Sequence, residues 1–410
     1  MRTLALLCLI LPSLVLADTV VDKYVDQKVD HFASDSKTFK QHIQILKGDD
    51  VPMDAPIMFF LGGEFGQDAS ILQGRQAQYS FGRKMIFVQA DHRGYGSYSD
   101  DADQTIPLYV TTDQAVEDFH YTIQYLRAQG FTGPIILTGY SYSGGLVVKM
   151  ISKYPGDATV AIASSPLLHG VLSFDGHDRV IQTWPNGLHD RMAQRIADLQ
   201  PAAYGDQNYI DRLFLQTALI GVAQYKKFAG FIGKFAAMNA MSTPDFIKAL
   251  RIADHQNAGD LMALWSNGQM QETLSLDEAK SGLYHSHFWL WQQCNEVGYF
   301  YSSNGPTKIF PESDSDLLAI CQKRFGRTPT LTNNYRLLLP GLKTHTIIMK
   351  ALLDAWDPVG DDESEAAPNV EVITVADGQH GPDRDSLDVA KQMMDAAFNQ
   401  IDCADRLKRQ

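Results

Sequence analysis

A short run of small and hydroxyl-bearing residues at 139–145, with the sequence GYSYSGG, contains the serine best placed to act as a nucleophile. The run follows a buried-strand pattern at 134–138 and precedes a helical pattern. This setting is typical of a nucleophile elbow, whose tight turn exposes the serine hydroxyl above a sheet. Gly139 meets the need for a small residue two positions before Ser141, whereas Ser143 stands where a second glycine is usual. Ser143 is the alternative nucleophile, and Ser141 is favoured because it lies closer to the strand end.

A serine hydroxyl needs a general base, and that base needs an acid to orient it. With a nucleophile elbow, these partners follow in the order Ser, Asp, His, on loops after late strands. Asp354 follows a predicted strand at 345–351, and His380 follows another at 369–375. Both are therefore expected at the same sheet edge as the serine. The expected chemistry is attack on a carbonyl carbon through an acyl-enzyme, with the Tyr142 backbone N–H and the helix start stabilising the oxyanion.

Each of these partners has an alternative interpretation. Asp357 lies three residues after Asp354, and either carboxylate could instead cap a turn. His380 is one of twelve histidines, and only its position after a strand distinguishes it from an ordinary loop residue. His285 and His287 have the spacing of metal ligands, but no third ligand accompanies them at a zinc-like spacing. No metal or organic cofactor is expected.

The composition is that of a folded globular protein. Apolar residues make up 45% of the chain and charged residues 20%, which argues against disorder. A length of 410 residues is sufficient for one large domain with an inserted subdomain. The formal net charge of -13 argues against a nucleic-acid partner, because phosphate binding needs clustered Lys and Arg.

Residues 1–17 have the pattern of a secretory signal peptide. Arg2 precedes an apolar run at 4–16, and Ala17 completes a small-residue cleavage site. The run is too short for a stable membrane span, and no other apolar stretch is long enough. We expect a mature chain that begins near Asp18, has no stable membrane anchor and is secreted or lysosomal.

Four cysteines are present, and Cys8 lies within the predicted signal. The preferred bridge joins Cys294 and Cys321, which leaves Cys403 free or in an intermolecular bond. Other pairings of these three residues remain open at this stage.

Strand-like and helix-like patterns alternate over 18–169 and again over 341–410. Such alternation predicts a mainly parallel sheet with helices on both faces. The intervening segment, 170–340, has helical periodicity and no clear buried strand. We therefore predict a discontinuous domain of the α/β-hydrolase fold, with 170–340 as an inserted helical cap subdomain over one end of the sheet.

The chain resembles the serine exopeptidases that include lysosomal prolyl carboxypeptidase, dipeptidyl peptidase II and thymus-specific serine protease. The resemblance covers most of the predicted mature chain. Its blocks lie at residues 27–32, 60–64, 91–97, 139–145, 153–155, 353–356 and 378–380. Within the insertion, WQQCNE at 291–296 followed by GYF at 298–300 looks most like the thymus-specific branch.

This resemblance implies that Ser141, Asp354 and His380 occupy the catalytic triad positions. It implies peptide substrates, and a cap that shapes a pocket for proline or another small residue beside the scissile bond. It also suggests a homodimer formed through the cap.

The resemblance extends to residues around the triad. Gly62 and Gly63 are expected on the oxyanion side, and Trp356 is expected beside the substrate. Glu296 is expected to anchor a peptide terminus or, as a surface charge, to have no role.

Three departures from the family pattern lie close to the site. Ser143 replaces glycine, Ala355 replaces proline, and Gly381 replaces a second histidine. They bear on substrate specificity more than on the triad.

Two further functions stay open at this stage. One is ester or lipid hydrolysis with the same triad, and the other is a secreted binding protein on a degenerate hydrolase scaffold.

Overall fold

A computed structural model describes residues 19–96, 106–200, 206–256, 284–303, 305–332, 334–356 and 367–408. The predicted signal at 1–17, including Cys8, and the alternative acid Asp357 lie outside the described residues. The side chains of His285 and His287 also lie outside them.

The described strands form one large sheet and one small sheet. In chain order they are β1 Val20–Lys28, β2 Thr38–Leu46, β3 Ile57–Leu61, β4 Ile86–Ala90, β5 Ile135–Tyr140, β6 Val160–Ser164, β7 Val171–Phe174, β8 Gly298–Tyr301, β9 His345–Ala351 and β10 Val370–Val375. The large sheet has the order β1-β2-β4-β3-β5-β6-β9-β10. Neighbouring strands from β4 to β10 are parallel, whereas β2 is antiparallel to both β1 and β4.

Helices connect these strands and form most of the insertion. They are α1 Ala69–Tyr79, α2 Thr112–Ala128, α3 Tyr142–Lys153, α4 Gly176–Gln182, α5 Leu188–Asp198, α6 Gln207–Gln224, α7 Gly230–Ala237, α8 Thr243–Gln256, α9 Tyr284–Gln292, α10 Asp314–Phe325, α11 Pro382–Asp385 and α12 Leu387–Lys408. A π-helical turn, Gln293–Val297, continues α9, and 3-10 turns span Ile106–Tyr109, Lys226–Phe228 and Tyr335–Gly341. Among the helices that the structure describes, none combines the length and apolarity needed to cross a membrane.

Apolar side chains cover both faces of the central strands. On one face, β3 and β5 side chains such as Phe59 and Leu137 pack against Phe119 of α2 and Leu146 of α3. On the opposite face, alternate side chains pack against α1 and α12. Strands buried on both faces need continuous apolar runs, which is the pattern seen in β3, β4 and β6. The predicted α/β-hydrolase fold, with helices on both faces of a mainly parallel sheet, is confirmed.

Two features of the fold differ from the sequence expectations. The antiparallel strands β1 and β2 were not predicted, because neither has a continuous apolar run: β1 is largely exposed at the sheet edge, and β2 contains the buried polar residues Gln41, His42 and Gln44. The segment predicted as a helical cap without clear buried strands, 170–340, also contains the parallel pair β7 and β8. The exact limits of the cap subdomain remain a prediction.

The predicted disulfide between Cys294 and Cys321 is confirmed, and it joins the π-helical turn to α10. Cys403 is a free thiol and is exposed on α12.

A buried ion pair fixes the edge of the sheet where the site residues lie. Arg93, which follows β4, donates to both carboxylate oxygens of Asp118 on α2, at 2.6 and 2.7 Å. The same guanidinium donates to the carbonyls of Lys28 and Val29 at the end of β1, at 3.0 and 2.7 Å, and to that of Tyr109 at 3.2 Å. Both members of the pair are at most 1% exposed, so the pair excludes water while joining four segments, namely the loop after β4, the end of β1, the turn at Tyr109 and α2.

We expect Arg93→Met to lower the free energy of unfolding by about 3–5 kcal/mol, because it leaves the buried Asp118 carboxylate with only the His31 imidazole as an ionisable partner. Lys40→Met is the control, since it removes an ion pair with Asp26 whose side chains are both at least 60% exposed. The control is expected to change stability by less than about 1 kcal/mol. Urea unfolding followed by tryptophan fluorescence measures both, and equal losses would contradict this role for Arg93.

Candidate active site

The elbow is a strained turn between β5 and α3. Ser141 has φ 58° and ψ -124°, a backbone conformation that costs energy for a residue with a Cβ atom. Its N–H donates to the carbonyl of Ser164 at 2.9 Å, and its carbonyl accepts from Gly144 at 3.0 Å. A Cβ atom on Gly139 would lie 2.2 Å from the Ser143 carbonyl oxygen, so this position requires glycine.

Ser143 has a local structural partner. Its hydroxyl donates to the Tyr140 carbonyl at 2.8 Å and accepts from the Tyr140 N–H at 2.9 Å. The hydroxyl proton of Ser143 is therefore held by a carbonyl.

The structure brings Ser141, His380 and Asp354 together across 239 residues of sequence. The Ser141 Oγ lies 2.9 Å from His380 Nε2, and His380 Nδ1 lies 2.8 and 2.9 Å from the two Asp354 carboxylate oxygens. A carboxylate only accepts, so Nδ1 carries the proton and Nε2 presents a lone pair to the serine hydroxyl. Ser141 is 7% exposed and His380 is 2% exposed, so both lie below the surface.

Asp354 is held in its ionised form. Burial alone would raise the pKa of this carboxyl, but the adjacent His380 and hydrogen bonds from His380, Ser165 and the Trp356 amide lower it below its ordinary value. The Trp356 N–H donates to Asp354 Oδ1 at 2.9 Å. The Asp354 carboxylate therefore stays charged beside the His380 imidazole. A triad histidine needs this charge in order to act as a general base.

The residues predicted for the oxyanion side lie beside the elbow. Tyr142 is the first residue of α3, so its N–H has no partner within the helix. Gly62 and Gly63 follow β3, which is the direct neighbour of β5. A Cβ atom on Gly62 would be 2.5 Å from the Ala90 carbonyl, which explains the glycine there. The oxyanion role of all three residues remains a prediction.

An aromatic wall flanks the imidazole of His380. We use this name for Trp356, Phe174, His177 and Tyr301. The Trp356 ring lies 5.9 Å from the His380 ring between centroids and stacks on Phe174 at 4.8 Å. His177 and Tyr301 lie 5.2 and 5.6 Å from Trp356. Only Trp356 was identified from the sequence, because the other three lie on β7, α4 and β8 of the insertion.

Glu296 is buried, which corrects the expectation that it could be a surface charge. It is 6% exposed, and its Oε1 accepts from the N–H and the hydroxyl of Thr112, at 2.7 and 2.9 Å. Burial raises its pKa to about 7. Its role as an anchor for a peptide terminus remains a prediction, and its contacts are with the first residue of α2.

A small cavity, partly open to solvent, adjoins Asp354 and Trp356. Basic side chains also line it, namely His169, Arg336 and Lys350. Because neither Ser141 nor His380 lines this cavity, we do not assign the scissile bond to it. Within the described ranges, no group of three or more His, Cys, Asp or Glu side chains is arranged to hold a metal ion.

A second carboxyl near the site has a raised pKa. Glu64 follows Gly63, and burial raises its pKa from 4.5 to about 7, although part of the residue remains exposed. Between these two pH values the folded protein keeps a proton that the unfolded chain has lost. Glu64 therefore makes folding progressively less favourable as the pH rises from 4.5 to 7.

We expect Glu64→Gln to be more stable than the parent at pH 7.5 by about 1–2 kcal/mol, a value reduced from the full shift for partial exposure. The advantage is expected to shrink as the pH falls and to disappear near pH 4.5. Urea unfolding of both proteins across this range measures the difference, and a constant gap at every pH would contradict the assignment.

Comparison with known proteins finds similarity to serine peptidases. Residues 27–198, which include the elbow, match the family model described as serine carboxypeptidase S28. The thymus-specific serine protease of Mus musculus is 24% identical over 358 residues, covering 75% of this chain and 70% of that protein. The lysosomal Pro-X carboxypeptidase of Bos taurus is 31% identical over 157 residues, covering 35% of this chain and 31% of that protein. The resemblance predicted from the sequence is confirmed.

A solved structure of an acetylester hydrolase from Corynebacterium glutamicum aligns over 92% of this chain and 94% of its own, at 13% identity and a TM-score of 0.49. A likeness at this level does not bear on activity. The fold rests on the strand order and connections described above.

Proposed function

On the premise that this chain is related to the S28 serine peptidases, we propose that it is a serine exopeptidase using Ser141, His380 and Asp354. The observation that carries the proposal is the unbroken line of hydrogen bonds from the Ser141 hydroxyl through His380 to Asp354. The family match includes the elbow, while the acid and the histidine lie beyond it. The hydrogen bonds therefore support the triad independently of the match.

The proposed mechanism passes through an acyl-enzyme. His380 Nε2 takes the Ser141 proton as Oγ bonds to the scissile carbonyl carbon, and Asp354 stabilises the imidazolium that forms. The backbone N–H of Tyr142, with that of Gly63, stabilises the negative oxygen of the tetrahedral intermediate. The imidazolium then donates its proton to the leaving amine. Water activated by His380 releases the acid product and restores the serine.

The proposed substrate is a peptide with a small apolar residue, such as proline, beside the scissile bond. The aromatic wall next to His380 supports this, because flat aromatic rings bury an apolar ring with little loss of side-chain freedom. The bovine relative is named a Pro-X carboxypeptidase, and we extend a preference for proline to this chain as part of the proposal.

The proposed compartment is the lysosome or the extracellular space. The predicted signal at 1–17 supports entry into the secretory route, and the bovine relative is named as lysosomal. The Cys294–Cys321 bridge is compatible with the oxidising conditions met on that route.

Ser141→Ala is expected to reduce kcat/KM for a proline-containing peptide by about 10⁴-fold or more and to abolish labelling by a fluorophosphonate probe. Ser143→Ala is the matched control. It removes only the contacts with Tyr140 and is expected to keep the labelling and to stay within about tenfold of the parent activity. An active Ser141→Ala protein would refute the proposed nucleophile. A folded parent protein that the probe does not label would favour the degenerate binding scaffold.

An exopeptidase should distinguish peptides by their ends. We expect one terminus of a proline-containing peptide to be essential, so that either N-acetylation or C-amidation reduces cleavage at least about 100-fold while the other has little effect. Mass spectrometry of the four blocked and unblocked forms measures this and identifies the end that is trimmed. Equal cleavage of the doubly blocked form would indicate an endopeptidase. Turnover of p-nitrophenyl esters with no cleavage of any peptide would favour an esterase.

A further inference from the structure

A closed set of polar side chains lies beneath the first residue of α3. Its centre is the Tyr142 hydroxyl, which accepts from Gln292 Nε2 at 2.7 Å. The same hydroxyl lies 3.2 Å from Thr112 Oγ1 and 3.3 Å from His92 Nε2. Gln292, His92 and Tyr142 are each at most 1% exposed, so water does not compete for these contacts.

The proton positions in this set follow from the partners. His92 Nδ1 lies 2.7 Å from the Arg93 carbonyl, so Nδ1 carries the hydrogen and Nε2 accepts. Burial lowers the pKa of His92 to about 4, which keeps the imidazole neutral at pH 7. The Tyr142 hydroxyl thus accepts from Gln292, and its own proton is shared between two acceptors, His92 Nε2 and the Thr112 hydroxyl oxygen. The Gln292 Oε1 in turn accepts from the Tyr95 hydroxyl at 2.6 Å.

Glu296 completes the set from the other side. It fixes the Thr112 hydroxyl, which lies between the Glu296 carboxylate and the hydroxyls of Tyr142 and Tyr335. Asp113 on α2 and Lys149 on α3 also interact electrostatically with Glu296. Asp113 raises the pKa of Glu296, and Lys149 lowers it. Tyr95, Tyr142 and Tyr335 are the phenols close to it. Gln292 and Glu296 come from the end of α9 and the π-helical turn, both in the insertion.

We propose that Gln292 and Glu296 are positioning residues for the oxyanion side of the site, because they hold the Tyr142 side chain from below and thereby aim its backbone N–H. This inference rests on the proposed function and adds a part of the insertion to the catalytic apparatus. The ring and the N–H belong to the same residue at a helix start, so an anchored ring restricts movement of the Tyr142 Cα and of the peptide group that carries the N–H. An oxyanion donor must be aimed in advance to stabilise a transition state.

The decisive variants remove single contacts. Gln292→Met keeps the side-chain length but removes the donor to Tyr142, and Tyr142→Phe removes the hydroxyl. Each is expected to lower kcat about 10- to 100-fold with KM unchanged within about threefold, which is less than full loss of an oxyanion donor. A peptide-aldehyde inhibitor, which forms a tetrahedral adduct, is expected to weaken by the same factor as kcat/KM. The double variant should lose no more than either single one.

Glu296 has its own pair of variants. Glu296→Ala is expected to lower kcat about tenfold. Glu296→Gln keeps an acceptor for Thr112 and is expected to restore kcat to within about threefold. It is also expected to remove one ionisation near pH 7 from the pH profile of kcat.

Gln293→Met is the matched control. Gln293 is the next residue, is 5% exposed, and donates to the Tyr299 carbonyl at 3.2 Å, outside the set around Tyr142. This variant is expected to change kcat less than about twofold while lowering the midpoint of thermal unfolding as much as Gln292→Met does. A purely structural role for Gln292 would make the two variants alike in kcat.

Unchanged kcat and inhibitor affinity in Tyr142→Phe, measured on folded protein, would overturn the inference even if Gln292→Met failed to fold. Failure of the proposed function is distinguishable, because it requires an active Ser141→Ala protein or a parent protein that cleaves no peptide. With an active parent and an inactive Ser141→Ala, unchanged kinetics in the tyrosine variant would count against the positioning role alone.

Discussion

The rest of the site depends on the backbone conformation of Ser141, which has a positive φ. A single residue with φ 58° turns the chain from β5 into α3 so sharply that the serine side chain stands above the sheet edge. That conformation persists because its neighbours hold it. Ser164 on β6 binds the Ser141 N–H, and Ser143 binds both polar groups of Tyr140. Parallel pairing of β5 with β3 and β6 then brings the ends of other strands to the same edge, where the glycine pair and the triad partners follow.

Much of the core domain could be predicted because each of its signals is local. β3, β4 and β6 are buried along their whole length, so an unbroken apolar run marks them. The elbow depends on small residues within one short turn, and the order of acid and histidine follows from the order of the late strands. β1 was missed for the opposite reason. It lies at the sheet edge with most of its residues exposed, and charged residues interrupt its apolar ones, so it has no continuous apolar run.

The insertion could not be predicted in the same way, because its important contacts join residues far apart in the sequence. Nothing local indicates that Glu296 is buried, since its partner Thr112 precedes it by 184 residues. β7 and β8 have four residues each and pair only with one another, so neither has a strand pattern long enough to recognise. His177 contacts Trp356 across a similar distance, and its place beside the triad follows only from the packed structure.

The Cys294–Cys321 bridge links the oxyanion side of the site to the aromatic wall. It closes a covalent ring that contains most of the π-helical turn, including Glu296, all of β8 and most of α10. Within this ring, Glu296 binds the Thr112 hydroxyl beneath the elbow, and Tyr301 on β8 belongs to the aromatic wall that includes Trp356. The groups that would stabilise negative charge and those that would receive the substrate side chain are therefore tethered to each other, and displacement of one would be transmitted to the other.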